Sequence, residues 1–259
     1  MNSKKAVLVV SFGTSHEDAL QNNIAPTEAA IAAALPGYLP HRAFTSGVVI
    51  RKLARRGVAV DTVEQALDKL AAEGFGQVLV QPTHIICGDE AAKLTAACES
   101  RRGLFEDLRV GLPLLASTED LFRLAEAVAA IHHGLGQDTA LVMMGHGSHH
   151  VAGTTYAALD YIFKAQGRGH IFVGTVEGYP GAETVLPLVQ KAGYHRVLLA
   201  PLLLVAGDHA KNDMAGDDDG SWKSLFGQAG FAVEISLKGL GEYPEIQALY
   251  AAHAAEAAR

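Results

Sequence analysis

Cysteine is scarce in this chain of 259 residues, which holds only Cys87 and Cys98. They do not form a C-x-x-C pair, so neither a disulfide framework nor a thiolate zinc site is available. Both read as small core residues. Long apolar runs are missing as well. The longest, 197–206, contains Pro201 and is far too short to span a bilayer. The stretch 6–10 behind Lys4 and Lys5 is shorter than a secretory h-region. These absences lead us to expect a soluble, cytoplasmic chain with no membrane partner. Basic residues are in deficit, with 21 Lys+Arg against 28 Asp+Glu and a net charge of −7. That argues against a nucleic-acid partner, although it leaves room for a local basic patch around an anionic small molecule. No G-x-G-x-x-G follows the first strand and no Walker A motif is present, which disfavours a nucleotide-dependent enzyme.

What the chain does have is apolar content, 49% of its residues, with 19% charged. A chain of this length buries a core without disulfide or metal staples, as one large domain or two smaller ones. Short Val-, Leu- and Ile-rich runs predict strands at 6–12, 41–45, 77–82, 108–111, 139–144, 171–175, 196–203 and 232–236. Several are apolar on both faces, as parallel strands covered on both sides are. Amphipathic patterns predict helices at 17–35, 62–73, 89–101, 117–133, 151–166, 182–192, 221–228 and 243–258. Ser117 with Asp120 reads as an N-cap. The alternation implies a doubly wound α/β fold.

The sequence also repeats. Residues 6–16 parallel 140–150, 45–47 parallel 176–178, and 77–91 parallel 196–210. Three matches in one order predict two copies of a four-stranded unit. We therefore expect two similar lobes, 1–125 and 126–259, each a four-stranded parallel sheet flanked by helices.

In such sheets ligands bind beyond the carboxyl ends of the strands. In the second copy those positions hold His146, Glu177 and His209, where the first copy holds Phe12, Ser46 and Glu90. Two imidazoles and a carboxylate suit a borderline divalent cation such as cobalt, nickel, zinc or ferrous iron. Gly145 and Gly147 beside His146 would let backbone approach a flat ligand closely, or simply make a tight β-to-α turn. Arg51, Lys52, Arg55 and Arg56 follow the second strand as candidate carboxylate binders, or as a solvated helix face. Lys93 and Lys211 lie beside Glu90 and His209. His84 follows the third strand, either lining a cleft or buried and hydrogen-bonded. The run Asp217–Asp219 lacks a Ca2+-loop pattern and reads as a solvated loop.

Met-Gly-His-Gly-Ser-His, Val-Glu-Gly-Tyr-Pro and Pro-Leu-Leu-Leu-Val-Ala-Gly-Asp-His-Ala-Lys-Asn-Asp-Met resemble the anaerobic sirohydrochlorin cobaltochelatase family. The opening Ser-Phe-Gly-Thr-Ser and the segment Gln-Pro-Thr-His-Ile-Ile-Cys-Gly-Asp-Glu resemble it too, so the likeness spans essentially the whole chain. The resemblance implies the class II chelatase fold, with a tetrapyrrole cleft between two lobes. It implies insertion of Co2+ into sirohydrochlorin during cobalamin synthesis, with no organic cofactor. His146, Glu177 and His209 would hold the metal, and Glu90 would be the first-lobe cleft acid. Ser11, Phe12 and Gly13, with His84, Arg51 and Lys52, would bind the substrate. Pyrrole protons must leave as the metal enters, so His146, His209 and Glu90 are the expected catalytic groups. Because ligation needs neutral imidazole, activity should fall on acidification. Fe2+ insertion for sirohaem, Ni2+ as an alternative metal, a non-catalytic metal or tetrapyrrole carrier, and a homo-oligomeric state all stay open at this point.

Overall fold

The computed structural model describes residues 3–259. All eight expected strands form: β1 (Lys4–Ser11), β2 (Leu39–Phe44), β3 (Phe75–Pro82), β4 (Asp107–Val110), β5 (Thr139–Gly147), β6 (Ile171–Glu177), β7 (Arg196–Pro201) and β8 (Ala232–Ile235). They build two four-stranded sheets, ordered β2-β1-β3-β4 and β6-β5-β7-β8, with every pairing parallel. The two orders are the same, as the internal repeat requires. In each, the order reverses beside the first strand of the copy, which is where α/β sheets place ligands.

The helices are α1 (Glu17–Ala19), α2 (Ala25–Ala34), α3 (Gly47–Ala54), α4 (Val63–Ala72), α5 (Asp89–Arg101), α6 (Thr118–Ile131), α7 (Thr154–Ala165), α8 (Ala182–Lys191), α9 (Trp222–Gln228) and α10 (Pro244–Ala257). Where one helix was expected over 17–35, a π turn at Leu20–Ile24 separates α1 from α2. Pro26 sits in the first turn of α2. It has no N–H to give to the preceding turn, so the widened turn is a natural way for the chain to pass it. Helix α3 was not among the expected helices, although a solvated helix face was one reading of Arg51–Arg56; Ser46 caps it by accepting from the Val49 N–H at 3.3 Å. Ser117 caps α6 as expected, accepting from Asp120 N–H at 3.2 Å.

The chain divides into two compact units, one running to Ala116 and including Pro244–Arg259, the other Ser117–Tyr243. Helix α10 therefore departs from the expected second lobe, 126–259, and packs in the first unit. Ile246, Tyr250 and Ala254 form a stripe at successive i,i+4 positions, all 0% exposed. The Tyr250 hydroxyl donates to Thr83 O at 2.8 Å, which fixes the helix on the sheet end. Small side chains on both α2 and α10 let the two helices pack together.

Each unit has its own core. In the first, Leu8, Val10, Val80, Leu67 and Leu94 are buried; in the second, Val142, Met144, Val189, Leu199 and Phe226 are buried. Cys98 belongs to the first core and burial pushes its thiol up to about 12. Cys87 corrects the expectation of a second core cysteine, because it is exposed. Among the described residues, no helix is long and apolar enough to cross a membrane.

Candidate functional site

In the second unit β5 delivers His146 and the turn after β7 delivers His209, on the two sides of the order reversal. Their rings meet edge to face with centroids 4.7 Å apart. The His146 Nδ1 lies 3.1 Å from the carbonyl of Gly147. The His209 Nδ1 lies 2.8 Å from Asp213 Oδ2. A carbonyl or carboxylate oxygen accepts, so each Nδ1 donates, and in the neutral ring the lone pair is then on Nε2. Asp213 was not foreseen; its signal was the i,i+4 spacing from His209.

The glycines around His146 serve this geometry by letting the chain approach itself. Gly147 has φ +85°, and a Cβ there would stand 1.7 Å from the carbonyl oxygen of Glu177. A Cβ on Gly145 would stand 2.3 Å from the Tyr156 ring. Close packing of the strand end, rather than room for a flat ligand, is what these glycines provide. Gly147 pairs directly with Glu177 in the β5–β6 register. Glu177 itself is exposed. Among the described residues, no group of three or more His, Cys, Asp or Glu side chains is placed to hold a metal ion. The two imidazoles thus come together, whereas the expected three-ligand set with Glu177 is not assembled among the described residues.

His149 and His150 are exposed, and His150 Nδ1 accepts from Ala152 N–H at 3.1 Å to begin the next helical turn. The acidic run is a solvated loop, with Asp217 paired to Lys223 at 2.6 Å.

The corresponding end of the first unit carries a different set. Glu90, in the first turn of α5, is paired with Lys93 at 2.7 Å. Partial burial works against its charge, but hydrogen bonds from Lys93 and Thr45 and the nearby Lys93 and His84 outweigh that and hold the carboxyl below its ordinary value. Lys93, expected near a substrate carboxylate, is thereby occupied. His84 Nε2 lies 3.5 Å from Thr45 Oγ1, and its Nδ1 is buried without a hydrogen-bond partner. Desolvation lowers this imidazole to about 4, so it is neutral at neutral pH.

Of the other expected substrate contacts, Phe12 stands 50% exposed at the end of β1. Gly13 follows with φ +96° and lets the turn pass against Phe44. Ser11 is buried at 1% exposure, and its hydroxyl accepts from Thr83 Oγ1 at 2.8 Å, which ties β1 to β3. Arg51 and Lys52 lie exposed on the last turn of α3. A cavity of about 460 Å³ lies elsewhere, at the amino ends of β5, β6 and β7, lined by His132, His133, Arg168, His170 and Tyr194. The strand-end His pair, not this cavity, stands where parallel sheets bind ligands.

Comparison with known proteins decides the family. The cobalt chelatase (CbiK) family model matches residues 5–259. The chain belongs to the CbiK cobalt chelatase family. Within it, the chain is 47% identical over 251 residues to a sirohydrochlorin cobaltochelatase of Salmonella typhimurium, covering 96% of this chain and 95% of that one. It is 36% identical over 244 residues to the sirohydrochlorin cobaltochelatase CbiKC of Nitratidesulfovibrio vulgaris, covering 93% and 86%. The fold is also that of SirB from Bacillus subtilis, solved with Fe3+, with a TM-score of 0.67 at 16% identity over 98% of this chain and 96% of that one. The two-sheet fold of this chain is therefore shared with SirB.

Proposed function

We propose that this chain inserts Co2+ into sirohydrochlorin, releasing two protons, as a step of anaerobic cobalamin biosynthesis in the cytoplasm. The observation that carries the reading is the pair of imidazoles 4.7 Å apart, each with Nδ1 engaged within the chain and Nε2 left to ligate. Family membership and the names of the two relatives support the substrate.

The chemistry required fits these groups. Metal insertion is an exchange without redox change: two pyrrole N–H bonds break, metal–nitrogen bonds form, and two protons leave. His146 and His209 bind the incoming Co2+ through Nε2, and Glu177 joins as a third ligand. An unassembled third ligand suits a metal that must be released, since a closed preformed set would retain it. Glu90 is ionised at neutral pH and accepts a pyrrole proton. His84, neutral, and Phe12, Gly13, Arg51 and Lys52 contact the macrocycle and its carboxylates.

The test is insertion of Co2+, Fe2+ and Ni2+ into sirohydrochlorin by the wild-type chain and by His146→Ala and His209→Ala. We expect Co2+ to be inserted fastest and each folded variant to lose at least about a hundredfold in rate, the loss typical of removing a group that acts in the reaction. Near-normal rates in both variants would overturn the assignment. Stoichiometric binding without turnover would replace the enzyme with a carrier.

A further inference from the structure

We propose that Asp213 is a positioning residue for metal capture, holding His209 in the tautomer whose Nε2 is the ligand atom. The inference rests on the reading of His209 as a ligand, and it adds a residue that does not itself touch the metal.

A neutral imidazole carries one proton on either nitrogen, and the hydrogen bond made by one nitrogen decides which form ligates through the other. For His146 the partner is a backbone carbonyl, that of Gly147 at 3.1 Å, which no side-chain substitution removes. For His209 the partner is a side chain, Asp213 Oδ2 at 2.8 Å. An ionised carboxylate has no proton to donate, so this contact places the proton on Nδ1. Without it the proton is free to move to Nε2, where it blocks ligation.

The local fold explains how Asp213 reaches the ring. His209 immediately precedes a π turn, Ala210–Met214, in which Ala215 N–H donates to Ala210 O at 3.2 Å, five residues back. Turns of this kind are widened relative to an α-helix and recur at functional sites. Ala210 and Met214 anchor the turn in the core at 0% exposure, so the rim residues His209 and Asp213 are carried on a fixed base. The hydrogen-bond geometry is thus set by buried apolar contacts rather than by the polar pair itself. A carboxylate behind a metal-binding imidazole both fixes the ring and raises its basicity as a ligand, and its loss typically costs 10–100-fold in metal affinity.

The experiment uses the full chain and three variants, Asp213→Ala, Asp213→Asn and His209→Ala. Two-bond 1H–15N correlation of the imidazoles, recorded where they are neutral, reports the His209 tautomer; the His209→Ala spectrum assigns the signal. Titration with Co2+ alone gives the affinity. We expect the wild type to show His209 protonated on Nδ1. In Asp213→Ala the population shifts toward Nε2–H and the Co2+ Kd rises about 10–100-fold. Asp213→Asn, which keeps an acceptor oxygen and the side-chain volume, falls between, and thermal unfolding checks that all variants are folded. An unchanged tautomer in both Asp213 variants overturns the proposal. So does a shifted tautomer with unchanged Co2+ affinity, and so does lost affinity with an unmoved tautomer, which would make Asp213 a ligand. If His209→Ala binds Co2+ as well as wild type, the ligand reading of His209 fails separately, and the proposal with it as far as metal capture is concerned.

Discussion

Acid should destabilise the first unit through one imidazole. The Nδ1 of His84 is buried without a hydrogen-bond partner, and desolvation lowers the imidazole's pKa from 6.5 to about 4. In the unfolded chain it takes a proton near 6.5; in the folded chain it does so only near 4. Between those values the unfolded state binds more protons, so stability falls as pH falls through that window. Linking the two equilibria gives a loss of about 2 kcal/mol between about pH 7 and about pH 5 from this residue alone. Other groups add their own slopes, so the measurement must be a difference. Urea unfolding of the wild type and of His84→Gln at both pH values isolates the term, because glutamine does not titrate. We expect His84→Gln to lose about 2 kcal/mol less than the wild type on acidification. A variant retaining the full wild-type slope would refute the reasoning, since it would mean that the folded protein accommodates the charged ring.

Three further outcomes follow from the same geometry. Gly147→Ala forces a side chain onto φ +85° and against the Glu177 carbonyl, so we expect a loss of about 3 kcal/mol or more in thermal or urea unfolding, with reduced Co2+ binding. Replacing Arg51 and Lys52 by Glu should raise KM for sirohydrochlorin about tenfold, roughly 1.4 kcal/mol, while leaving Co2+ affinity unchanged in titrations without substrate. Cys87, exposed, should react with a thiol reagent in the native protein. Cys98, buried and with its thiol pushed up to about 12, should react only after denaturation.

Much of this architecture was legible because apolar runs and a repeat carry it. Strands such as 6–12 and 139–144 are largely apolar runs centred on Val, Leu and Met, as in a sheet covered on both faces. The matching segments then dictated two sheets of equal order. What was not legible depends on contacts distant in sequence. Helix α10 looks local in the sequence, yet Tyr250 and Ile246 find their cavity in the first unit, so the chain end could not be assigned by the repeat. Helix α3 was legible only as a possible solvated helix face at Arg51–Arg56, because what defines it is the Ser46 cap and one buried leucine, Leu53. At the site, His146 and His209 were visible as strand-end residues in a matched repeat. Asp213 was marked only by its i,i+4 spacing from His209, and the 2.8 Å contact that gives it a role is visible only in the fold. At Ser11 the resemblance implied substrate contact, whereas the fold gives its hydroxyl a partner inside the first unit, Thr83 Oγ1.

The repeat also separates what the fold needs from what the chemistry needs. At matched places the first copy reads Phe12-Gly13 and the second His146-Gly147. Both glycines hold positive φ, +96° and +85°, so the turn is common to the two copies and belongs to the backbone. The residue before it differs in kind, and in the first copy it is an aromatic ring 50% exposed on an otherwise equivalent strand end. A β5 strand end should therefore tolerate a ring without nitrogen. His146→Phe installs the first copy's residue in the second. Because the position is partly exposed and the backbone is already adapted, we expect unfolding free energy to change by less than about 1 kcal/mol. Co2+ affinity, in contrast, should drop by at least about tenfold, because one of two paired imidazoles is gone and phenyl cannot ligate. Urea unfolding and Co2+ titration on one preparation decide it. Lost stability together with lost metal would mean that His146 is part of the fold, and that the repeat does not divide the two roles at this position.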